Sequence, residues 1–321
     1  MSGRWIVPSE LDGKRLDQAL SGLLPELGLR GRKRLCEEGR VLLDGRPSAA
    51  SVRLRAGQEV LVRGDVRLEG PGPRIVTAGE DYAALDKPAG LNSAALAGGG
   101  GESAEAWLTR LFPDRAGERL PLLCNRLDRP TSGLLLVAFG EAAREAFRRA
   151  EDAGLALKTY LAVVRGHPAE RMSLSWPLDM AGRKRTRVLP GEADDLRATE
   201  VVRLARVDGG ADVEEGDGLW LVAARIMKGA RHQIRAHLAH AGHPILGDDL
   251  YGDEAGAGTG AGEKGSAAGA ADGLHLHHFH LRIPGFEAKT PPPWPLWARL
   301  MEEASSEVTA ALSRPDLVVW K

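Results

Sequence analysis

The chain has little cysteine, little aromatic content and almost no net charge. Two cysteines in 321 residues, Cys36 and Cys124, give neither a disulfide framework nor a metal-ligand spacing. No stretch reaches the roughly 18 consecutive apolar residues of a membrane-spanning helix. The opening Met1-Ser2-Gly3-Arg4-Trp5 carries no apolar leader core. These absences predict a soluble cytoplasmic protein with no membrane partner. Aromatic residues make up 5% and only three are tyrosine, so a patterned Tyr is informative. The net charge of -1 removes the overall basicity that many nucleic-acid-binding domains show.

Cofactor signatures are also lacking. Gly260-Ala261-Gly262-Glu263-Lys264-Gly265-Ser266 has its Lys on the wrong side of the last Gly, and no strand leads in. That argues against a phosphate-binding loop and a nucleotide cofactor. In His275-Leu276-His277-His278-Phe279-His280, a strand would put two imidazoles on each face. Two fall short of a metal ligand set, so no metal is expected. Ser132 could be a hydrolase nucleophile, but Gly133 leads into a strand and not an elbow before a helix.

The length allows two domains. Residues 1–63 form one predicted module. Leu16, Leu20, Leu23 and Leu24 fall at helical spacing, and a short helix over Arg32–Glu38 ends at Gly39. Val41-Leu42-Leu43 runs into an Asp44-Gly45 turn, and a closing strand ends near Val62. This module holds twelve Lys/Arg against eight Asp/Glu, with Arg30, Arg32, Lys33 and Arg34 together. Such a patch can bind phosphates even in a neutral chain.

Residues 64–73 are Gly/Pro-rich and predict a linker. From Arg74, strands are predicted at Ile75–Thr77, Tyr82–Asp86, Leu134–Ala138, Thr159–Arg165, Thr199–Leu204, Leu219–Ala224 and Leu274–Ile283. Helices are predicted at Ala104–Leu111, Glu141–Ala150, His232–Ala241 and Pro295–Ser306. Strands and helices do not alternate strictly, which predicts an α+β fold with a mixed, largely antiparallel sheet over 74–321. Residues 252–273 are Gly/Ala-rich and predict a flexible insertion.

Two charged clusters stand out. One is Asn125-Arg126-Leu127-Asp128-Arg129-Pro130-Thr131-Ser132-Gly133, a carboxylate between two guanidiniums just before an apolar strand. It reads either as a surface ion-pair loop or as a site. The other is Lys228-Gly229-Ala230-Arg231-His232-Gln233-Ile234-Arg235, which opens a helix. Arg231 and Arg235 share a helical face and oppose the dipole, so they call for a carboxylate or a phosphate. Tyr160 lies on an alternating strand, where it is either core or a platform for a base.

Together these segments resemble the RluA-type pseudouridine synthase family. Asp86-Lys87-Pro88-Ala89-Gly90-Leu91 is similar to its first motif and Arg126–Gly133 to its second. Lys158-Thr159-Tyr160 resembles the strand with the active-site tyrosine. Arg231–Leu238, then Gly242–Asp248 and Leu250-Tyr251-Gly252, resemble the third motif. Residues 1–63 resemble an S4-type RNA-binding module. Asn125 and Pro130 depart from the family, which usually has His and an acidic residue there.

The resemblance implies an isomerase that turns uridine into pseudouridine in structured RNA. Ribosomal RNA is the favoured partner and transfer RNA the next. It implies Asp128, Tyr160 and Arg235 as catalytic residues, with Arg235 paired to Asp128 and Tyr160 on the uracil. Substrate contacts are implied for Arg126, Arg129, Thr131, Arg231, His232 and Gln233, and for the basic run Arg30, Arg32, Lys33 and Arg34. No cofactor is implied, and a monomer is expected. A catalytically weak RNA-binding or RNA-folding protein of the same fold is the alternative.

Overall fold

The computed structural model describes residues 3–22, 24, 29–37, 39–62, 72–94, 103–115, 119–179, 181, 185–207, 218–252 and 273–315. The predicted linker, save Gly72 and Pro73, and the Gly/Ala-rich insertion, save Gly252 and Gly273, lie outside the described residues. The chain divides into two compact units. One is Met1–Gly72 with Asn92–Trp107, and the other is Pro73–Leu91 with Leu108–Lys321. The cut near residue 72 falls in the predicted linker, and residues 92–107 group with the first unit.

The first unit contains β1 (Gly3–Ile6), α1 (Leu16–Ala19), α2 (Leu29–Glu37), β2 (Val41–Leu43), β3 (Arg46–Pro47) and β4 (Glu59–Val62). Its sheet has the order β1-β4-β2-β3. Asp44 (φ 49°) and Gly45 (φ 79°) both adopt the left-handed conformation, which a tight β2–β3 hairpin turn requires. Leu16, Leu20, Leu35, Val41, Leu54 and Val60 form its core. Each buried leucine contributes about 1.5–3 kcal/mol. Among the described residues the expected leucine stripe is helical over Leu16–Ala19, and Leu23 lies outside them.

The second unit is built on a ten-stranded sheet. Its elements are β5 (Arg74–Ala78), β6 (Tyr82–Lys87), the end of α3 (Ala104–Leu111), β7 (Pro121–Leu123), β8 (Ser132–Phe139) and α4 (Glu141–Asp152). They continue with β9 (Leu157–Arg165), β10 (Arg171–Leu174), β11 (Leu178–Asp179), β12 (Arg187–Val188), β13 (Thr199–Arg206) and β14 (Leu219–Ile226). The last are α5 (Gln233–His240), β15 (Leu276–Ile283), β16 (Phe286–Lys289), α6 (Leu296–Glu303) and α7 (Ser306–Ser313). The strand order is β10-β13-β14-β9-β15-β8-β6-β5, with β16 on β15 and β7 on β8; β11 and β12 form a separate hairpin.

All ladders in the large sheet are antiparallel except the short β15–β8 pair, where His277 meets Ser132 and His278 meets Gly133. The expected α+β class with a mixed, largely antiparallel sheet is what the chain adopts. β8 is buried at every position, as its unbroken apolar run requires. α4 packs Phe147 against Leu134 and Leu136. α6 and α7 pack Leu300, Val308 and Leu312 against Leu161, Val163 and Leu221.

The helix expected over 295–306 is α6, which ends at Glu303, and α7 follows it beyond the expected span. Ser305 accepts a hydrogen bond from Val308 N–H and so starts α7 as its N-cap.

Candidate active site

Asp128 stands on the loop that enters β8, and its side chain keeps 21% of its surface exposed. Two backbone bonds shape this loop: Thr131 N–H donates to Asp128 O at 3.1 Å, and Gly90 N–H donates to Arg129 O at 2.8 Å. Beneath it lies Lys87, fully buried at the end of β6. Its ammonium donates to Pro88 O (3.0 Å), Leu91 O (2.8 Å) and Arg129 O (3.3 Å). Burial pulls its pKa down to about 8, against the opposing pull of Asp128 and Asp86. A cation with three carbonyl acceptors ties the first motif to the second.

Arg235, on α5, is 3% exposed and reaches Asp128 through one contact, Nη1 to Oδ2 at 3.1 Å. The rest of its fork faces Asp248: Nε donates to Oδ2 at 2.8 Å and Nη2 to Oδ1 at 2.7 Å. Asp248 also accepts from the N–H groups of Leu250 (2.9 Å) and Tyr251 (3.0 Å). Burial alone would neutralise both partners. Their bidentate pairing outweighs it, so Arg235 is held more firmly as a cation and Asp248 as an anion. Asp249 lies 3.7 Å from Nη2 but is 94% exposed, where water screens it.

The buried core of this cluster thus sets one guanidinium against two carboxylates. Asp248 anchors the fork, and Asp128 receives a single bond. Asp128 keeps lone pairs free of Arg235 and a partly exposed side chain.

Tyr160 lies on β9 and is 6% exposed. One ring face is covered by His278, with centroids 4.4 Å apart and planes 11° from parallel. Burial pushes the phenol pKa up, and the Asp128 and Glu151 carboxylates add to this. Tyr160 therefore stays a neutral phenol. That favours its expected stacking role over removal of the uracil C5 proton.

The other expected site residues fall into three groups. Arg126 and Arg129 are exposed beside Asp128, with Arg129 Nε donating to Gly90 O at 2.9 Å. Arg231 and His232 lead into α5; two buried guanidinium nitrogens of Arg231, Nε and Nη2, have no partner among the described residues. Thr131 and Gln233 are buried. Thr131 Oγ1 has no partner among the described residues.

Gln233 corrects the expectation of a substrate contact. Its Oε1 accepts from Ala230 N–H at 2.9 Å and its Nε2 donates to Arg197 O at 2.7 Å, with Ala198 O and Thr199 Oγ1 both at 3.3 Å. The amide is fully engaged in holding the α5 turn to the segment before β13.

In the first unit, Arg30 and Arg34 are exposed on α2 and Lys33 is half-buried. Arg34 lies 3.5 Å from Glu105. Arg32 turns inward, with Nε donating to Asp17 O at 3.1 Å.

Residue-by-residue reading missed Asp248 and Tyr251 as site residues. Both stand in the quoted third motif, and the signal was an Asp and a Tyr three apart after a Gly turn. Tyr251 Oη accepts from Thr186 N–H at 2.8 Å and lies 3.1 Å from His232 Nδ1. The β15 histidines bond to the fold. Ser132 Oγ meets His277 Nδ1 at 2.9 Å, and His277 Nε2 meets Thr290 O at 2.9 Å. Ser132 and His277 are buried at 2% and 0% exposure, so the Ser–His pair faces no substrate.

Residues 81–240 match the family model described as RNA pseudouridylate synthase. An uncharacterized RNA pseudouridine synthase of Chloroflexus aurantiacus is 34% identical, over 77% of this chain and 78% of that protein. Ribosomal large subunit pseudouridine synthase D of Pseudomonas aeruginosa is 30% identical, over 77% and 76%. The chain belongs to the RluA-type RNA pseudouridine synthase family.

A solved structure, human RNA pseudouridylate synthase domain containing 1, shares the fold. It has a TM-score of 0.54 and 23% identity, over 76% of this chain and 97% of that one. As a pseudouridine synthase the protein is an isomerase acting on uridine in RNA. The matched span contains the Asp128 loop, Tyr160 and Arg235.

Proposed function

We propose that Asp128 carries the isomerisation, with Arg235 and Tyr160 completing the catalytic set. The substrate is structured RNA, large-subunit ribosomal RNA first and transfer RNA second. The carrying observation is the unequal sharing of Arg235. Bidentate Asp248 fixes the guanidinium, and one bond from it reaches Asp128, which stays partly exposed.

The reaction breaks the N1–C1′ bond of uridine, turns the base, joins C5 to C1′ and moves the C5 proton to solvent while N1 gains one. It is redox-neutral. An ionised Asp128 serves as nucleophile at ribose C1′ or uracil C6, or as the base that starts glycal formation. Tyr160 stacks on the base, while His278 covers one face of its ring. The target nucleotide must leave its stack, at a cost of a few kcal/mol in a paired region. Phosphate contacts from Arg126, Arg129 and Arg231 offset that cost.

The basic face of α2 and the S4-like character of residues 1–63 support an RNA-binding role for the first unit. The names of the relatives favour ribosomal RNA: one acts on the ribosomal large subunit, and tRNA pseudouridine synthase C of Haemophilus ducreyi is 34% identical over 40% of this chain. Asn125 bears on the weak-enzyme alternative. Its Oδ1 accepts from Leu136 N–H at 2.7 Å, which pins the loop to β8 and removes no group from the site. We place the enzyme in the cytoplasm as a monomer.

The test is site-resolved pseudouridine mapping of cellular RNA in cells expressing the natural chain or Asp128→Ala. Loss of the same sites in Asp128→Ala and in cells lacking the gene is the expected result. Sites that persist with Asp128→Ala would overturn the assignment.

A further inference from the structure

His232 has the geometry of a second holder of Asp128. Its backbone is left-handed (φ 55°, ψ 17°), and it shares this among described non-glycine residues only with Asp44 in the hairpin turn. His232 is the N-cap residue of α5, yet its side chain makes no capping bond. The ring instead spans two site groups. Nδ1 lies 3.1 Å from Tyr251 Oη, and Nε2 lies 3.8 Å from Asp128 Oδ1.

The two carboxylate oxygens of Asp128 are therefore unequal. Oδ2 is bonded to Arg235. Oδ1 faces Nε2 across a gap too long for a hydrogen bond. We infer that His232 is a positioning residue whose Nε2–H steers Asp128 Oδ1, the oxygen that meets the substrate, while Tyr251 holds the ring in that tautomer. This rests on the reading of Asp128 as the reacting carboxylate.

The tautomer follows from donor and acceptor counting. Tyr251 Oη accepts from Thr186 N–H at 2.8 Å and has one proton to give, to Thr186 O at 3.2 Å or to His232 Nδ1 at 3.1 Å. If Nδ1 carried the ring proton, the Nε2 lone pair would face the negative Oδ1. The field of Asp128 selects Nε2–H, and the Tyr251 proton then goes to Nδ1. The ring remains neutral. Burial lowers its pKa, Arg235 and Arg231 lower it further, and Asp128 and Asp248 oppose them without prevailing. A neutral donor orients Oδ1 without cancelling its charge. The bond closes when bound RNA draws Oδ1 inward, since catalytic contacts tighten in the complex.

The experiment uses the full chain in excess over bulk RNA from cells lacking the gene, labelled with tritium at uracil C5. Tritium release gives the rate at saturating enzyme and the half-saturating enzyme concentration. His232→Asn tolerates the left-handed backbone but is too short to reach Oδ1. It is expected to slow the saturated rate about tenfold or more, with half-saturation within about twofold. Tyr251→Phe is expected to slow it about threefold to tenfold by releasing the tautomer.

Nitrogen-15 NMR of the histidine-labelled natural protein, with the His232 signal identified by its loss in His232→Asn or, failing that, its shift in Tyr251→Phe, is expected to show protonated Nε2 and bare Nδ1. An unchanged saturated rate in His232→Asn, a loss confined to half-saturation, or a protonated Nδ1 in the natural protein would each overturn the inference. Asp128→Asn separates the two levels. Retained tritium release there sinks the underlying reading, and lost release with a normal His232→Asn sinks only the role of His232.

Discussion

The α2 face of the first unit and the Asp128 centre of the second both concentrate charge, in opposite ways. On α2 the cations Arg30 and Arg34 stand in water, Lys33 is half-buried, and Arg34 lies 3.5 Å from Glu105. In the centre, Arg235 is buried and pairs at 2.7 to 3.1 Å with two carboxylates. Solvated charges give long-range, salt-sensitive attraction of little specificity. Buried, mutually oriented charges give fixed geometry and a strong local field. In the function proposed above, the first arrangement suits gathering RNA and the second suits acting on a single atom.

Removing the central carboxylate should have the largest effect. Asp128→Asn is expected to lower the saturated rate on the order of a thousandfold or more, about 4 kcal/mol, with RNA affinity within about twofold. A matching drop in affinity would mean that Asp128 binds and does not react. Next is Arg235→Met, which leaves Asp248 buried without its cation. Urea unfolding should show a destabilisation of about 3–5 kcal/mol. The same substitution at Arg30 should change stability by less than about 0.5 kcal/mol.

The third prediction concerns pH. Burial lowers the pKa of His277 to about 4 and of His278 to about 3, from an ordinary 6.5. Between pH 6.5 and 4 the unfolded chain binds protons that the folded chain refuses. Stability should be full above pH 6.5 and fall by a few kcal/mol toward pH 4. His278→Phe keeps a ring under Tyr160 and should flatten that fall in urea titrations. An unchanged slope would place the effect elsewhere.

The smallest effect is on α2. Arg30→Ala with Lys33→Ala should weaken RNA binding uniformly across sequences. It should also flatten the log affinity against log salt plot by about 0.7–0.9 for each phosphate that the variant no longer neutralises. An unchanged slope would remove α2 from the RNA-binding surface.

Sequence pattern reached the two regions unequally. The basic run, the Asp44-Gly45 turn and the long strands of the sheet are local signals, and α3 spans the predicted Ala104–Leu111. Short strands such as β1, β7, β10 and β16 were not legible. Three or four residues carry too little periodicity, and pairing partners far along the chain set them. The Asp128–Arg235 pair was legible only through the family resemblance, because 107 residues separate its members. Asp248 as the anchor of Arg235 and His278 as the platform under Tyr160 were not legible, since both roles exist only once β15, β9 and α5 have met. Gln233 looked like a polar site residue, and its backbone partners lie at 197–199, out of reach of local pattern.

The lone parallel ladder, β15 against β8, is two residue pairs wide. Gly133 (φ 107°) makes it possible, since a Cβ there would sit 2.4 Å from His278 O. This seam joins two antiparallel half-sheets. The half with β8 brings Asp128, and the half with β9 and β14 brings Tyr160 and leads to Arg235. Its partners lie some 145 positions apart, so joining them closes the longest loop within the sheet, the kind of pairing that forms slowly. Until β15 is in place, β8 and β9 have no strand to join them. With Asp128 and Tyr160 in the roles proposed above, catalytic competence becomes a report on completed folding.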